Sequence, residues 1–103
     1  MGICEGRYYN LKGIKTYTVT DKRIIAYNPV RVGIEIKVKK GKAEVSVTAH
    51  EGTKTSVNVK EGESATINEW VETSNGTFDV KFEAKSAEAV EIYYGISYQI
   101  PAQ

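Results

Sequence analysis

The sequence predicts an all-β fold: an antiparallel two-sheet β-sandwich, Ig-like or jelly-roll-like, of about eight or nine strands with no core helix. Three observations predict it. From Gly33 onward apolar residues recur at every second position, which lines them along one face of an extended chain. Glycine-bearing interruptions near residues 41, 52, 62 and 75, and a further turn near 86, break the alternation at roughly the spacing of sandwich strands. No segment holds a 3.6-residue period long enough to make a core helix, so the apolar strand faces must cover one another.

The first third is the least regular. Tyr8-Tyr9, Tyr17-Thr18-Val19 with Ile14 before it, and Ile24-Ile25-Ala26-Tyr27 suggest three strands, the last closing at Asn28-Pro29, while residues 1–6 are expected to fray. Next, Ile34, Ile36 and Val38 alternate with Glu35, Lys37 and Lys39. After the turn Lys40-Gly41-Lys42 the pattern resumes at Val45, Val47 and Ala49. Val57 and Val59 form the next strand. Beyond Glu61-Gly62-Glu63, Ala65 and Ile67 lead to Trp70-Val71. Ser74-Asn75-Gly76-Thr77 predicts a type I′ turn, because Asn-Gly readily takes two positive φ angles. Its second arm points Phe78, Val80, Phe82 and Ala84 inward, and the final strand alternates from Val90 to Ile100, where Pro101 cannot donate to a ladder.

The stretch Val57-Asn58-Val59-Lys60-Glu61-Gly62-Glu63-Ser64-Ala65-Thr66-Ile67 resembles a segment met in bacterial and archaeal immunoglobulin-like and jelly-roll surface modules. The resemblance covers about a tenth of the chain, implies a sandwich, and carries no functional residues across. At 103 residues, the whole of 1–103 is expected to form a single domain.

Composition narrows the function classes. Fourteen basic residues against 13 acidic give a net charge of +1, and no block of like charge would funnel phosphates, so no nucleic-acid partner is expected. The longest apolar runs are far short of the ~20 residues a membrane helix needs. Cys4 is the one cysteine, which rules out an internal disulfide and, with no apolar leader at the start, leans toward the cytoplasm.

Candidate chemistry is sparse. His50 is the one histidine, and with Cys4 it makes two of the four ligands a structural zinc needs. A catalytic trio would have to use His50 as base with Asp21 or Asp79 behind it, and no spacing selects one. The pairs Glu61/Glu63 and Glu69/Glu72 read as solvated turn acids in preference to a glycosidase pair or a calcium loop. Lys37, Lys39, Lys40 and Lys42 read as a solvated face, and Thr16, Thr18 and Thr20 as ordinary strand formers. No catalytic residue, metal or cofactor is therefore expected.

Aromatic residues carry more information. Tyr94 and Tyr98 share parity with Val90 and Ile92, whereas Tyr93 falls on the opposite, exposed side with Glu91, Gly95, Ser97 and Gln99. Gly95 removes a side chain beside it, so either a ligand approaches the backbone there or the strand bulges. Trp70 is read as a core residue, with a rim position as the alternative in which Asn68 and Glu69 add polar contacts. Tyr93, Trp70, Asn68 and Gln99 are thus the ligand-binding candidates. Two functions fit: a non-enzymatic binding module for carbohydrate or protein, or a structural subunit of a virion or cell surface that self-associates as a homo-oligomer through sheet faces or edges.

Overall fold

A computed structural model describes residues 2–25, 29–49 and 52–99. Eight strands account for most of them: β1 (Gly2–Leu11), β2 (Ile14–Thr20), β3 (Val30–Lys40), β4 (Lys42–Thr48), β5 (Lys54–Lys60), β6 (Ser64–Val71), β7 (Thr77–Ala84) and β8 (Val90–Tyr98). They pair antiparallel as β1 with β8, β2 with β7, β3 with β6 and β4 with β5, which is one long hairpin rolled up on itself. Two further pairings, β3 with β8 and β4 with β7, close the roll into sheets of order β1-β8-β3-β6 and β2-β7-β4-β5. This is the jelly-roll form of the sandwich.

Alternation explains why the sheets stack. Val30, Val32, Ile34, Ile36 and Val38 of β3 and Val90, Ile92, Ile96 and Tyr98 of β8 are buried against Val45 and Val47 of β4 and Phe78, Val80 and Phe82 of β7. At one end of this core the rings of Tyr8, Tyr94, Phe82 and Tyr17 cluster, with Phe82 and Tyr94 centroids 4.8 Å apart and Tyr8 meeting Phe82 edge-on at 5.3 Å. Burial there pushes the Tyr94 phenol up to about 12.

Several expectations need correction. Residues 2–6, expected outside any strand, are the first half of edge strand β1, paired from Gly2 opposite Tyr98. The reason is steric fit, since Gly2 and Gly6 point inward and a Cβ at either would strike the rings of Tyr98 and Tyr94. No strand begins at Ile24. Lys22–Ile24 form a 3-10 turn that drops Ile24 into the core, and residues 26–28 lie outside the described residues.

That turn is fixed by Asp21. Its side chain accepts from the Arg23 backbone N–H at 2.9 Å, from the Arg23 guanidinium at 2.7 Å, and from the Tyr98 hydroxyl at 2.8 Å. The hydrogen bonds from Arg23 hold its carboxyl well below the usual carboxylate range, while burial and the bond to Asp21 push the Tyr98 phenol up to about 12. The latch ties the exit of β2, in one sheet, to β8 in the other.

Asn75 and Gly76 take φ of 50° and 79°, and Ser74 and Thr77 exchange backbone bonds of 2.9 and 3.0 Å, as a type I′ turn requires. Its arms pair only at Ser74 and Thr77, because β6 then leaves for the other sheet. Gly41, at φ 84°, likewise carries the chain between sheets where a local hairpin would have kept it in one. The last strand ends at Tyr98, and Ile100 and Pro101 lie outside the described residues.

Candidate functional site

Register places the outward residues of β1, β8, β3 and β6 in rows across one sheet face. Asn68, Gly33, Ser97 and Ile3 form one row; Thr66, Glu35, Gly95 and Glu5 the next; Ser64, Lys37, Tyr93 and Arg7 the one after. Beyond the first row Trp70 stands opposite Arg31, whose carbonyl accepts from the Gln99 N–H at 3.1 Å. All four residues singled out from sequence, Tyr93, Trp70, Asn68 and Gln99, therefore share this face.

They do not share one pocket. A shallow depression of about 550 Å³ has Gly95 as its bed and is bounded by Tyr93, Glu5, Glu35, Lys37 and Thr66. The pairing of β8 with both neighbours runs unbroken through Gly95, so the bulge explanation falls. A Cβ there would find only the Glu5 Cγ, 3.9 Å away, and the backbone lies open beneath the depression. At Gly33 the situation is reversed: a Cβ would lie 3.0 Å from Ser97 Oγ and 3.3 Å from Asn68 Oδ1, because those side chains lean over the glycine. Asn68 and Gln99 line a second, smaller hollow of about 230 Å³ with Arg31 and Ser97.

Trp70 corrects the core reading. It is 48% exposed, because Val71 takes the inward position opposite Val30 and leaves the indole outside, 5.7 Å from the Arg31 guanidinium. Lys37 lies six steps along β3 from Arg31, so Trp70 and Tyr93 stand roughly 20 Å apart along the strands.

Tyr93 faces outward as its parity requires, yet it is half-buried. The Arg7 guanidinium lies 3.8 Å from its ring centroid and Lys39 Nζ 5.5 Å away. Its hydroxyl donates to Glu91 Oε2 at 3.2 Å. Burial raises the phenol, with Arg7 opposing and Glu91 adding to the shift. Cations from both neighbouring strands thus flank the ring, which also lines the depression.

Sequence reasoning missed Arg7, Glu5, Glu35 and Thr66. Glu35 was visible only as one outward residue of a solvated strand, and Arg7 lay next to a segment expected to fray. Among the described residues Glu5, Glu35 and Lys37 form no ion pair and no side-chain hydrogen bond. The other acids considered are committed elsewhere. Glu61 braces the Gly41 N–H at 3.1 Å, Glu63 the Lys60 N–H at 3.2 Å, and Asp79 accepts from Thr18 Oγ1 at 2.6 Å. Glu69 accepts from Thr55 Oγ1 at 3.3 Å and from its neighbour's N–H, Trp70, at 3.1 Å. Cys4 is half-buried on the inward side of β1, where its proximity raises the Tyr17 phenol. His50 lies outside the described residues. Among the described residues no three of His, Cys, Asp and Glu gather to hold a metal ion.

No protein-family model matches the chain, and no curated protein sequence matches it. Among solved structures it is similar to the carbohydrate-binding module CBM36 in complex with calcium and xylotriose, with a TM-score of 0.51 at 14% identity over 90% of this chain and 78% of that one. It also matches the Drosophila melanogaster CENP-C cupin domain, with a TM-score of 0.44 at 14% identity over 94% of this chain and 59% of that one. The first likeness places the fold in an architecture that a carbohydrate-binding module also uses.

Proposed function

We propose that the chain is a non-enzymatic binding module that takes an extended, hydroxyl-rich glycan across the outer face of the β1-β8-β3-β6 sheet. The observation that carries this reading is the open backbone at Gly95, ringed by carboxylates, an ammonium and a hydroxyl that no other described group occupies. Such groups match sugar hydroxyls in both donor and acceptor roles, and Tyr93 supplies an aromatic wall. Likeness of fold to a carbohydrate-binding module supports it without fixing a ligand.

The test is retention and calorimetric titration against a panel of soluble polysaccharides, with Tyr93→Ala as the comparison variant. The reading expects one glycan class to bind and Tyr93→Ala to weaken it about tenfold or more. Trp70 emission should be that of an exposed indole. It should shift on binding only if the glycan also reaches the smaller hollow. Absence of binding to every glycan, or binding indifferent to Tyr93, overturns the proposal.

A further inference from the structure

Each sheet of an open sandwich has two edges, and an exposed edge strand is a template for another chain unless its sequence discourages pairing. Three of the four edges here are discouraged. On β2 the inward-parity Lys15, opposite buried Phe82, is exposed. On β6 the inward parity carries Glu69, opposite Val32. Strand β5 begins and ends on lysine, so an antiparallel copy centred on Val57 would set Lys54 against Lys60.

Strand β1 carries none of these devices. Its inward residues are Gly2, Cys4, Gly6 and Tyr8, it has no proline, and among the named strands it pairs only with β8. Its regular pairing with β8 runs unbroken from Gly2 to Tyr8, and Tyr9 stands at the register shift that follows. Two of the most exposed large side chains lie on it, Ile3 at 64% and Tyr9 at 62%.

We infer that this edge is a docking surface for a second copy of the same chain, the two β1 strands pairing antiparallel about a two-fold axis at Gly6. An axis perpendicular to the sheet keeps outward residues outward, so the sequence itself can be tested for self-complementarity. Centred on Gly6, Ile3 meets Tyr9 of the second copy, Glu5 meets Arg7, and the same contacts repeat on the other side of the axis. The two exposed apolar groups are brought together, and each Glu5 is set beside an Arg7 that within its own copy stacks on Tyr93 and donates to the Tyr9 hydroxyl at 2.6 Å. Moving the axis one residue either way sets Glu5 against Glu5 or Arg7 against Arg7, so like charges exclude the neighbouring registers. Inward, Cys4 faces Tyr8 and glycine faces glycine, with no charge pointing toward either core.

The inference rests on β1 alone and stands whether or not a glycan binds. It joins the two sheets into one eight-stranded face. The row holding Tyr93 and Arg7 of one copy then continues into Glu5 and Gly95 of the other, which places the two depressions on one surface.

The test uses charge reversal on the intact chain, with sedimentation equilibrium from about 10 µM to about 1 mM, because an interface of a single strand pair belongs to the weak, small class. The wild type should approach twice the monomer mass. Glu5→Arg alone and Arg7→Glu alone should each weaken association about tenfold or more, since each places two like-charged pairs across the axis. An equimolar mixture of the two variants should dimerise again. The introduced arginine of one variant then meets the introduced glutamate of the other, while the retained Arg7 of the first meets the retained Glu5 of the second. That recovery also shows that both variants fold. A wild type that stays monomeric at about 1 mM, single variants that associate as well as the wild type, or a mixture that remains monomeric would each overturn the proposal.

Discussion

The two outer faces of this sandwich are built from similar polar residues, yet they differ in what those residues are doing. On the β2-β7-β4-β5 face several of the groups pair with one another: Thr18 donates to Asp79 at 2.6 Å, Lys54 reaches Glu44 at 3.1 Å, and Lys85 reaches Glu83 at 3.1 Å. None of its four strands contains a glycine, so every outward position carries a side chain over the backbone. On the β1-β8-β3-β6 face Glu5, Glu35 and Lys37 are uncommitted around the bare backbone of Gly95. Polarity alone does not make a site. Uncovered backbone together with unspent donors and acceptors does, because a ligand there exchanges hydrogen bonds with water without first breaking any within the protein.

Both faces hang on one core, so the largest effect should fall on both at once. Phe82 is fully buried and touches the rings of Tyr8 and Tyr94. Phe82→Ala should cost about 4 kcal/mol, read as a lower denaturation midpoint at unchanged slope. If binding fell while the midpoint held, the core and the face would not be separable in the way described.

The Asp21 latch should behave oppositely to the site, changing stability without changing binding. Asp21→Asn should cost about 2 kcal/mol near neutral pH, through the lost charge-assisted bonds to Arg23 and Tyr98. Because its folded pKa is depressed, the Asp21 contribution is present above its unfolded value of about 4 and is lost as pH falls below it. Tyr98 runs the other way. Its phenol is raised to about 12, so its contribution is full below pH 10.0 and fades as pH rises through 12. Thermal melts across pH should therefore show an acid limb that flattens in Asp21→Asn and an alkaline limb that flattens in Tyr98→Phe.

Filling the depression should sharpen the contrast between faces. Gly95→Val adds a side chain where the nearest atom to its Cβ is 3.9 Å away, in a strand whose backbone any residue can adopt. The melting temperature should hold or rise slightly, since valine favours strands. Affinity for whichever glycan the wild type retains should drop about tenfold or more, because the bed is occupied. A matching loss of stability would instead make Gly95 a structural glycine.

How much of this was legible follows from what a period can encode. Alternation from Ile34 to Tyr98 tells which side of each strand faces in, and that much of the sandwich could be read directly. It does not tell which sheet a strand joins. Lys40-Gly41-Lys42 looks like a hairpin turn and is a crossing between sheets. Strand β1 was hidden because its inward face is small, Gly2, Cys4 and Gly6, with the volume supplied by Tyr94 and Tyr98 from the neighbouring strand. The outward parity of Tyr93 was legible for the same reason that the burial of Tyr94 was. Arg7, which covers its ring, was not, because that contact depends on pairing between the first and last strands. Trp70 misled because an indole is usually worth burying, and here the adjacent Val71 already fills the inward position.

The smallest effect should come from the satisfied face. Thr18→Val removes the hydroxyl that donates to Asp79 but keeps the shape and strand preference of the side chain. Both residues are exposed, so water replaces the lost donor, and the stability change should stay below about 0.5 kcal/mol. Glycan affinity should be unchanged within error in the same titration that registers Gly95→Val. A loss of affinity in Thr18→Val, with Gly95→Val silent, would move the site to the opposite sheet and reverse the contrast between the two faces.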